Sequence, residues 1–247
     1  MRYFLEVSYK GTNYSGFQSQ KNANTIQDEI EKALLIFFKK QIVLICSSRT
    51  DAGVHALQNF FHFDYEKKIA SKHIYNINAI LPADIVIKNI NQVKSDSHCR
   101  FDAISREYKY YTYQQKNPFI NDRGFYFPYK VDIKLLNKAA SIIMDYSDFT
   151  SFSKRNTQVK TFECKIYESK WSRENDFLIY HVKADRFLRG MVKALTSTML
   201  KVGIGKLSIE DFKNIIEAKN CAKASFAVPA HGLFLINVQY PDEYFRS

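Results

Sequence analysis

No apolar run in this sequence approaches the roughly 18 residues that a membrane-crossing helix needs, which argues against a helical membrane span. Cysteine is scarce. Cys46, Cys99, Cys164 and Cys221 are widely scattered, without the close pairs of a disulfide framework or a zinc module. The expectation is four reduced thiols packed mostly as small hydrophobes. The six histidines form no helical metal pair, and His55 and His62 are at most strand neighbours; no metal is expected. The first residues, Met1-Arg2-Tyr3, lack a positive-then-apolar leader pattern, so a cytoplasmic protein is expected. Internal repeats and low-complexity tracts are missing too. Acid is the remaining shortage: 25 Asp and Glu stand against 36 Lys and Arg, a net charge of +11. Such an excess repels itself unless it meets a polyanion, and nucleic acid binds cations with release of counterions. The 16 tyrosines and 20 phenylalanines suit unstacked or flipped bases if they are exposed among cations. AT-rich coding produces the same bias, so composition alone leaves both origins open.

At 247 residues the chain can form one large domain or two half-size lobes. Residues 2–9 alternate, with Tyr3, Leu5, Val7 and Tyr9 on one face, as in a strand. Residues 10–22 read as a polar loop. Residues 25–39 keep the helical period through Ile26, Ile30, Ala33, Leu34 and Phe37, with Thr25 as N-cap. Strands are predicted over 41–47, 57–63, 85–93 and 106–113, and a helix over 71–81 that stops at Pro82. The pattern restarts near residue 114. A helix near 132–144, strands near 162–170 and 177–184, a long helix near 186–202, a short one at 208–218 and a strand at 233–239 follow. Strands and helices mix without strict alternation. This predicts an α+β fold with a mostly antiparallel sheet, built as two similar-sized lobes, 1–114 and 115–247.

Three constellations can carry chemistry. Ser47-Ser48-Arg49-Thr50-Asp51-Ala52-Gly53-Val54-His55 sits between two apolar strands, and its small residues imply a sharp turn. If the strand runs on to Asp51, Arg49 and Asp51 point the same way, and the arginine keeps the carboxylate ionised. An ionised aspartate there can act as nucleophile or base; it can equally cap the turn. In Arg106-Glu107-Tyr108-Lys109-Tyr110-Tyr111-Thr112-Tyr113, one strand face carries Arg106, Tyr108, Tyr110 and Thr112. Interleaved aromatics and cations make a stacking surface for bases, or the tyrosines fill a core. On the predicted 186–202 helix, Arg186, Arg189 and Lys193 share a face opposite an apolar stripe. That face is a phosphate track, a partner for a carboxylate, or a solvated surface.

The nine residues Ser48 to Ala56 resemble the catalytic signature of the TruA family of tRNA pseudouridine synthases. Tyr9-Lys10-Gly11-Thr12-Asn13-Tyr14 through Gly16-Phe17-Gln18 resembles that family's first loop, and Leu81-Pro82-Ala83-Asp84-Ile85 its Leu-Pro-x-Asp-Ile step. Arg106-x-Tyr108-x-Tyr110, Asp148-Phe149-Thr150-Ser151-Phe152, Phe187 to Lys193 and Pro229 to Tyr240 resemble further blocks, in family order and over nearly the whole chain. The resemblance implies a pseudouridine synthase fold with a central basic cleft. It implies that Asp51 is the catalytic aspartate, that Arg49 extrudes the target nucleotide or holds its place, and that Tyr108 stacks on the uracil and assists proton movement. Lys193 falls where most relatives have an arginine that pairs with the carboxylate; the charge is kept and the bidentate geometry lost. Arg106, Tyr110, Arg189, Phe17, Gln18 and His55 are implied on the substrate side. Phe17 stands where Trp is usual, Lys10 where Asp is usual, and Ser197 in place of a small glycine. The implied reaction isomerises uridine to pseudouridine in the anticodon stem-loop of tRNAs, at uridines 38 to 40, by a homodimer without cofactor. The rival readings are a non-catalytic RNA-binding module, a carboxylate glycosidase, which would want two facing acids, and a related synthase acting at other RNA positions.

Overall fold

The computed structural model describes residues 1–155 and 159–245. It is a mixed α+β structure whose strand pairings are mostly antiparallel. Two compact units divide it: Met1–Ile104 with Phe234–Ser247, and Ser105–Leu233.

In the first unit, β1 (Arg2–Tyr9) lies between β3 (His55–Asp64) and β4 (Ile85–Val93), antiparallel to both. The predicted inward face of β1, Tyr3, Leu5, Val7 and Tyr9, is buried. Phe4 on the opposite face is buried as well, because Phe60, Tyr240, Tyr244 and Phe245 close over it. Helix α1 (Ile26–Phe38) starts where expected, with the Thr25 side chain accepting from the Asp28 N–H at 3.2 Å. The strand expected over 41–47 shrinks to β2 (Ile45–Cys46) on β3. Side chains of α1 replace its ladder: Glu31 accepts from the Leu44 N–H at 2.9 Å, and Gln27 donates to the Leu44 carbonyl at 3.0 Å. Helix α2 (Lys72–Asn78) ends a few residues before Pro82.

In the second unit, β5 (Ser105–Tyr113), β8 (Phe177–Ala184) and β7 (Ile166–Glu174) form an antiparallel sheet, and β6 (Phe125–Tyr126) joins β5 in parallel. Helices α3 (Ile133–Ile142), α4 (Met191–Gly203) and α5 (Ile209–Glu217) complete the core with Phe149, Phe152 and Phe212. Strand β7 begins later than the 162 expected, because Phe162 and Cys164 bond instead to Phe149 and Ser147. Helix α4 also begins later than expected, at Met191. Gly190 precedes it at φ +76°, a left-handed conformation through which a right-handed helix does not continue. Arg186 and Arg189 therefore lie on the lead-in, and the predicted three-cation helix face does not form. The last strand, β9 (Leu233–Gln239), returns to the first unit and runs parallel to β3, His55 beside Phe234.

Candidate active site

The Asp51 block is a turn, not a continued strand. Strand β2 stops at Cys46, so side-chain alternation does not reach Asp51. The Val54 N–H bonds the Asp51 carbonyl at 3.2 Å, and Gly53 sits at φ +78°, as the third position of a type II turn requires. Asp51 is half-buried at the head of this turn, flanked by exposed Arg49 and Ala52. The strand alternation expected to align Arg49 with Asp51 is therefore absent. The Arg49 guanidinium bonds the Cys46 thiol, where it pulls against the upward pKa push of burial.

The first loop presses on this turn backbone to backbone. A Cβ on Gly11 would stand 2.0 Å from the Val54 carbonyl oxygen, so only glycine fits there. Gly16, at φ +116°, lies against Thr50 and Ala52, and the Phe17 N–H donates to the Thr50 carbonyl at 3.1 Å. The Tyr9 hydroxyl and Thr50 Oγ1 are 2.8 Å apart, and the Asn59 amide donates to Tyr9 Oη at 3.2 Å and to the Ser48 carbonyl at 2.9 Å. Asp84 ties the far side of the loop. It accepts from the Tyr14 hydroxyl at 2.5 Å and from Asn13 at 3.1 Å, while its carbonyl accepts from the Lys10 N–H at 2.9 Å. Burial and then Asp84 raise the Tyr14 pKa, so that hydroxyl stays a proton donor. The first loop, the Asp51 block and the Pro82–Asp84 step are thus one braced assembly around one carboxylate.

Two expected substrate contacts in this unit are framework. Phe17 is fully buried, stacked on Phe61 at 4.6 Å and beside Tyr9 at 5.6 Å. His55 is 2% exposed; its Nδ1 accepts from the Gly11 N–H at 3.1 Å and its ring stacks on Phe234 at 4.5 Å. Both hold the loop rather than face solvent. Gln18 is exposed, as a contact residue must be.

The second unit carries the other residues. Tyr108 is half-buried on β5, its ring edge-to-face with Phe187 at 5.1 Å. Arg106, two residues earlier on the same strand, donates from Nη1 to the Asp185 carbonyl at 2.9 Å. Tyr110 is corrected to core: it is fully buried, its hydroxyl donates to the Pro229 carbonyl at 2.7 Å, and burial raises its pKa. The reason lies in the strand's depth: the alternate positions Arg106 and Tyr108 keep partial exposure, while Tyr110 passes under the Pro229 segment. Lys193 is half-buried in the first turn of α4, a turn whose own residues include no acid. A cation at a helix N-terminus is unfavourable by itself and adds to an anion-attracting end. Arg189 is exposed in the lead-in, and its carbonyl accepts from the Lys154 N–H at 2.9 Å. The Lys154 side chain lies along Gly190, within 3.0 Å of where a Cβ would be. His231 is near Lys193; burial first, and to a lesser degree that charge, lower its pKa against the opposing pull of the Gly124 backbone and Asp122.

Sequence reasoning missed Phe187 as the partner of Tyr108, Asn59 as the brace of the turn, and Lys154 beside Gly190. Of these, Asn59 carried a signal, a polar amide directly before the Phe60-Phe61 pair of its strand.

A family model described as tRNA pseudouridine synthase matches residues 6–102 and 146–241, which takes in the Asp51 turn, the first loop, Asp84 and Lys193 and leaves β5 outside. A tRNA pseudouridine synthase A of Parabacteroides distasonis is 44% identical over 246 residues, covering 99% of this chain and 98% of that protein. The protein of the same description from Bacteroides fragilis is 45% identical over 252 residues, covering 99% and 98%. That of Staphylococcus aureus is 37% identical over 246 residues, covering 98% and 93%.

Proposed function

The chain belongs to the tRNA pseudouridine synthase family, and on that premise we propose that Asp51 is the reacting carboxylate in a uridine isomerisation directed at the anticodon stem-loop, positions 38 to 40. The enzyme is an isomerase acting on tRNA. The bond from C1′ to N1 breaks, the uracil turns, and C1′ joins C5. The C5 proton leaves and N1 gains one, so no group is lost and no electrons are exchanged. Those steps ask for a carboxylate, a platform for the base and proton movement, all available from side chains.

The observation that carries this reading is the bracing of the Asp51 turn from three sides, by Gly11 and Phe17, by Thr50 through Tyr9, and by Asn59. Holding a reacting group in place is what lowers the entropic part of a barrier. A half-buried carboxylate on such a turn can attack C1′, take the C2′ proton, or add to the ring. The target base has to leave its stack first, at a cost of a few kcal/mol. In this reading Tyr108 stacks on the everted uracil, Arg49 fills or disturbs the vacated stack, and Lys193 supplies the positive charge otherwise given by an arginine. Arg106, Arg189 and Gln18 contact the RNA. Phe17, His55 and Tyr110 position those groups from the core.

The same reading includes a homodimer working in the cytoplasm; among the described residues no helix is long and apolar enough to cross a membrane. Light scattering on the purified chain tests the dimer, with a mass of about twice 28.9 kDa expected. For the chemistry the test is Asp51→Asn. Tritium release from C5-labelled tRNA should be lost, while the circular dichroism spectrum and tRNA affinity stay close to wild type. Turnover retained in this variant would remove Asp51 from the reaction. Mapping of modified sites in bulk tRNA tests the stem-loop assignment separately.

A further inference from the structure

At the other end of β3 from the Asp51 turn, three metal-ligating groups meet that the isomerisation does not use. His62 Nδ1 lies 3.2 Å from Cys99 Sγ, and the His98 ring packs edge-on against that of His62 with centroids 4.5 Å apart. One ligand atom from each of His62, His98 and Cys99 lies within 4.8 Å of the other two. Ligands around a tetrahedral zinc ion, with bonds of about 2.3 Å to sulfur and about 2.0 Å to nitrogen, stand about 3.3–3.6 Å apart. Small side-chain rotations therefore separate the cluster as found from a coordinating one. His62 is 2% exposed and Cys99 is fully buried, whereas His98 is half-buried and opens a way in.

From this juxtaposition of two imidazoles and a thiol we infer that His62, His98 and Cys99 form a binding site for a borderline-soft divalent cation, zinc in the first place, with water completing the coordination. The donor set fits that class, since imidazole and thiolate together select zinc over magnesium or calcium. Backbone N–H groups approach the ring nitrogens at long range: that of Cys99 to His62 at 3.3 Å, and those of Arg100 and Phe101 to His98 at 3.2 and 3.4 Å. The Cys99 thiol donates to the Ile45 carbonyl at 3.1 Å. On binding, the S–H proton passes to solvent and the sulfur pair forms the bond to the metal. The thiolate offsets half the added charge. Asp64 and Asp102 favour cations at this place; Arg2, held by Asp64 at 2.9 Å, opposes them.

The site is structural in position. His62 lies seven positions along β3 from His55, about 23 Å along a strand. A cation here links β3 to the segment around Cys99, and binding to the folded state alone adds stability. The test uses the full chain stripped with a chelator and titrated with Zn²⁺ alone, then with Co²⁺. One equivalent of Zn²⁺ per chain should bind and raise the melting temperature, and Co²⁺ should give a thiolate-to-metal charge-transfer band. Cys99→Ser should remove that band. His98→Gln, at the half-exposed ligand, should weaken Zn²⁺ binding by more than about tenfold and decides the matter if Cys99→Ser fails to fold. Cys221→Ser should leave binding unchanged. The assignment is overturned if the wild-type chain binds no stoichiometric Zn²⁺, if His98→Gln binds as tightly as wild type, or if Cys221→Ser abolishes the cobalt band.

Discussion

The residue that best shows how the proposed site is built is Gly11, not Asp51. Its φ is ordinary, so any residue could adopt its backbone. What excludes a side chain is space: a Cβ would meet the Val54 carbonyl oxygen at 2.0 Å and its carbon at 2.8 Å, and both are backbone. Backbone cannot rotate away as a side chain can, so the loop and the turn have to part. Gly11→Ala should therefore destabilise the protein by about 2–3 kcal/mol, the upper part of the usual overpacking range, and lower turnover by displacing Asp51. Urea denaturation and the tritium-release assay read the two effects; an unchanged midpoint would show that the approach is looser than 2.0 Å implies. Tyr108 allows a finer test. Tyr108→Phe keeps the ring and the Phe187 contact, so it should bind tRNA normally and turn over slowly. Tyr108→Leu removes the stacking face as well and should also weaken engagement of the everted base, by about 1–3 kcal/mol. Equal activity in the three proteins would take Tyr108 out of the site.

Element by element, what could be read in advance follows from how local each cause is. The Thr25 cap, the α1 stripe and the buried Tyr3, Leu5, Val7 and Tyr9 of β1 depend on neighbours within a few residues and match the structure, whereas the burial of Phe4 comes from distant aromatics. The start of α4 is not legible in sequence because Leu188 and Arg189 continue an apolar–basic period that Gly190 interrupts by conformation alone. Phe17, His55 and Tyr110 resemble contacts in sequence because a motif shows which residues cluster and not which of them the core covers. His62 and Cys99 lie 37 positions apart, and no spacing rule joins them. Long-range anchoring between elements has its own test at the end of α5. The Asp148 carboxylate accepts from the Thr150 hydroxyl at 2.6 Å and its N–H at 2.9 Å, and pairs with Lys219 at 2.9 Å. Burial pushes its pKa up, but these partners together hold it below the ordinary carboxylate range. A carboxyl depressed on folding contributes stability above its unfolded pKa of about 3.9 and loses it as pH falls further. Asp148→Asn should thus flatten the acid limb of the stability curve below about pH 4 and leave the neutral arm parallel to wild type. An acid limb of unchanged slope would mean that the pairing is not maintained in solution.

For the molecule as a whole the charge balance is the governing quantity. With 36 basic and 25 acidic side chains, the cations outnumber the carboxylates by 11, and among the described residues pairs such as Lys40–Glu66 and Arg123–Asp122 are exposed. Exposed pairs are worth little and weaken with salt, so the excess charge is not consumed internally. It is available to phosphates, and each phosphate neutralised releases a counterion. A surface meeting six or more phosphates loses affinity by about a thousandfold or more between about 50 and about 200 mM salt. tRNA binding by this chain should show that steep dependence, with a log–log slope shared by the Asp51→Asn variant, since the carboxylate makes no phosphate contact. Turnover at saturating tRNA should fall far less over the same range, because the bond exchange at C1′ happens inside a formed complex. Filter binding against salt, run beside kcat, separates the two. A flat binding curve would mean that shape and base contacts, rather than the net charge, bring the RNA to the enzyme.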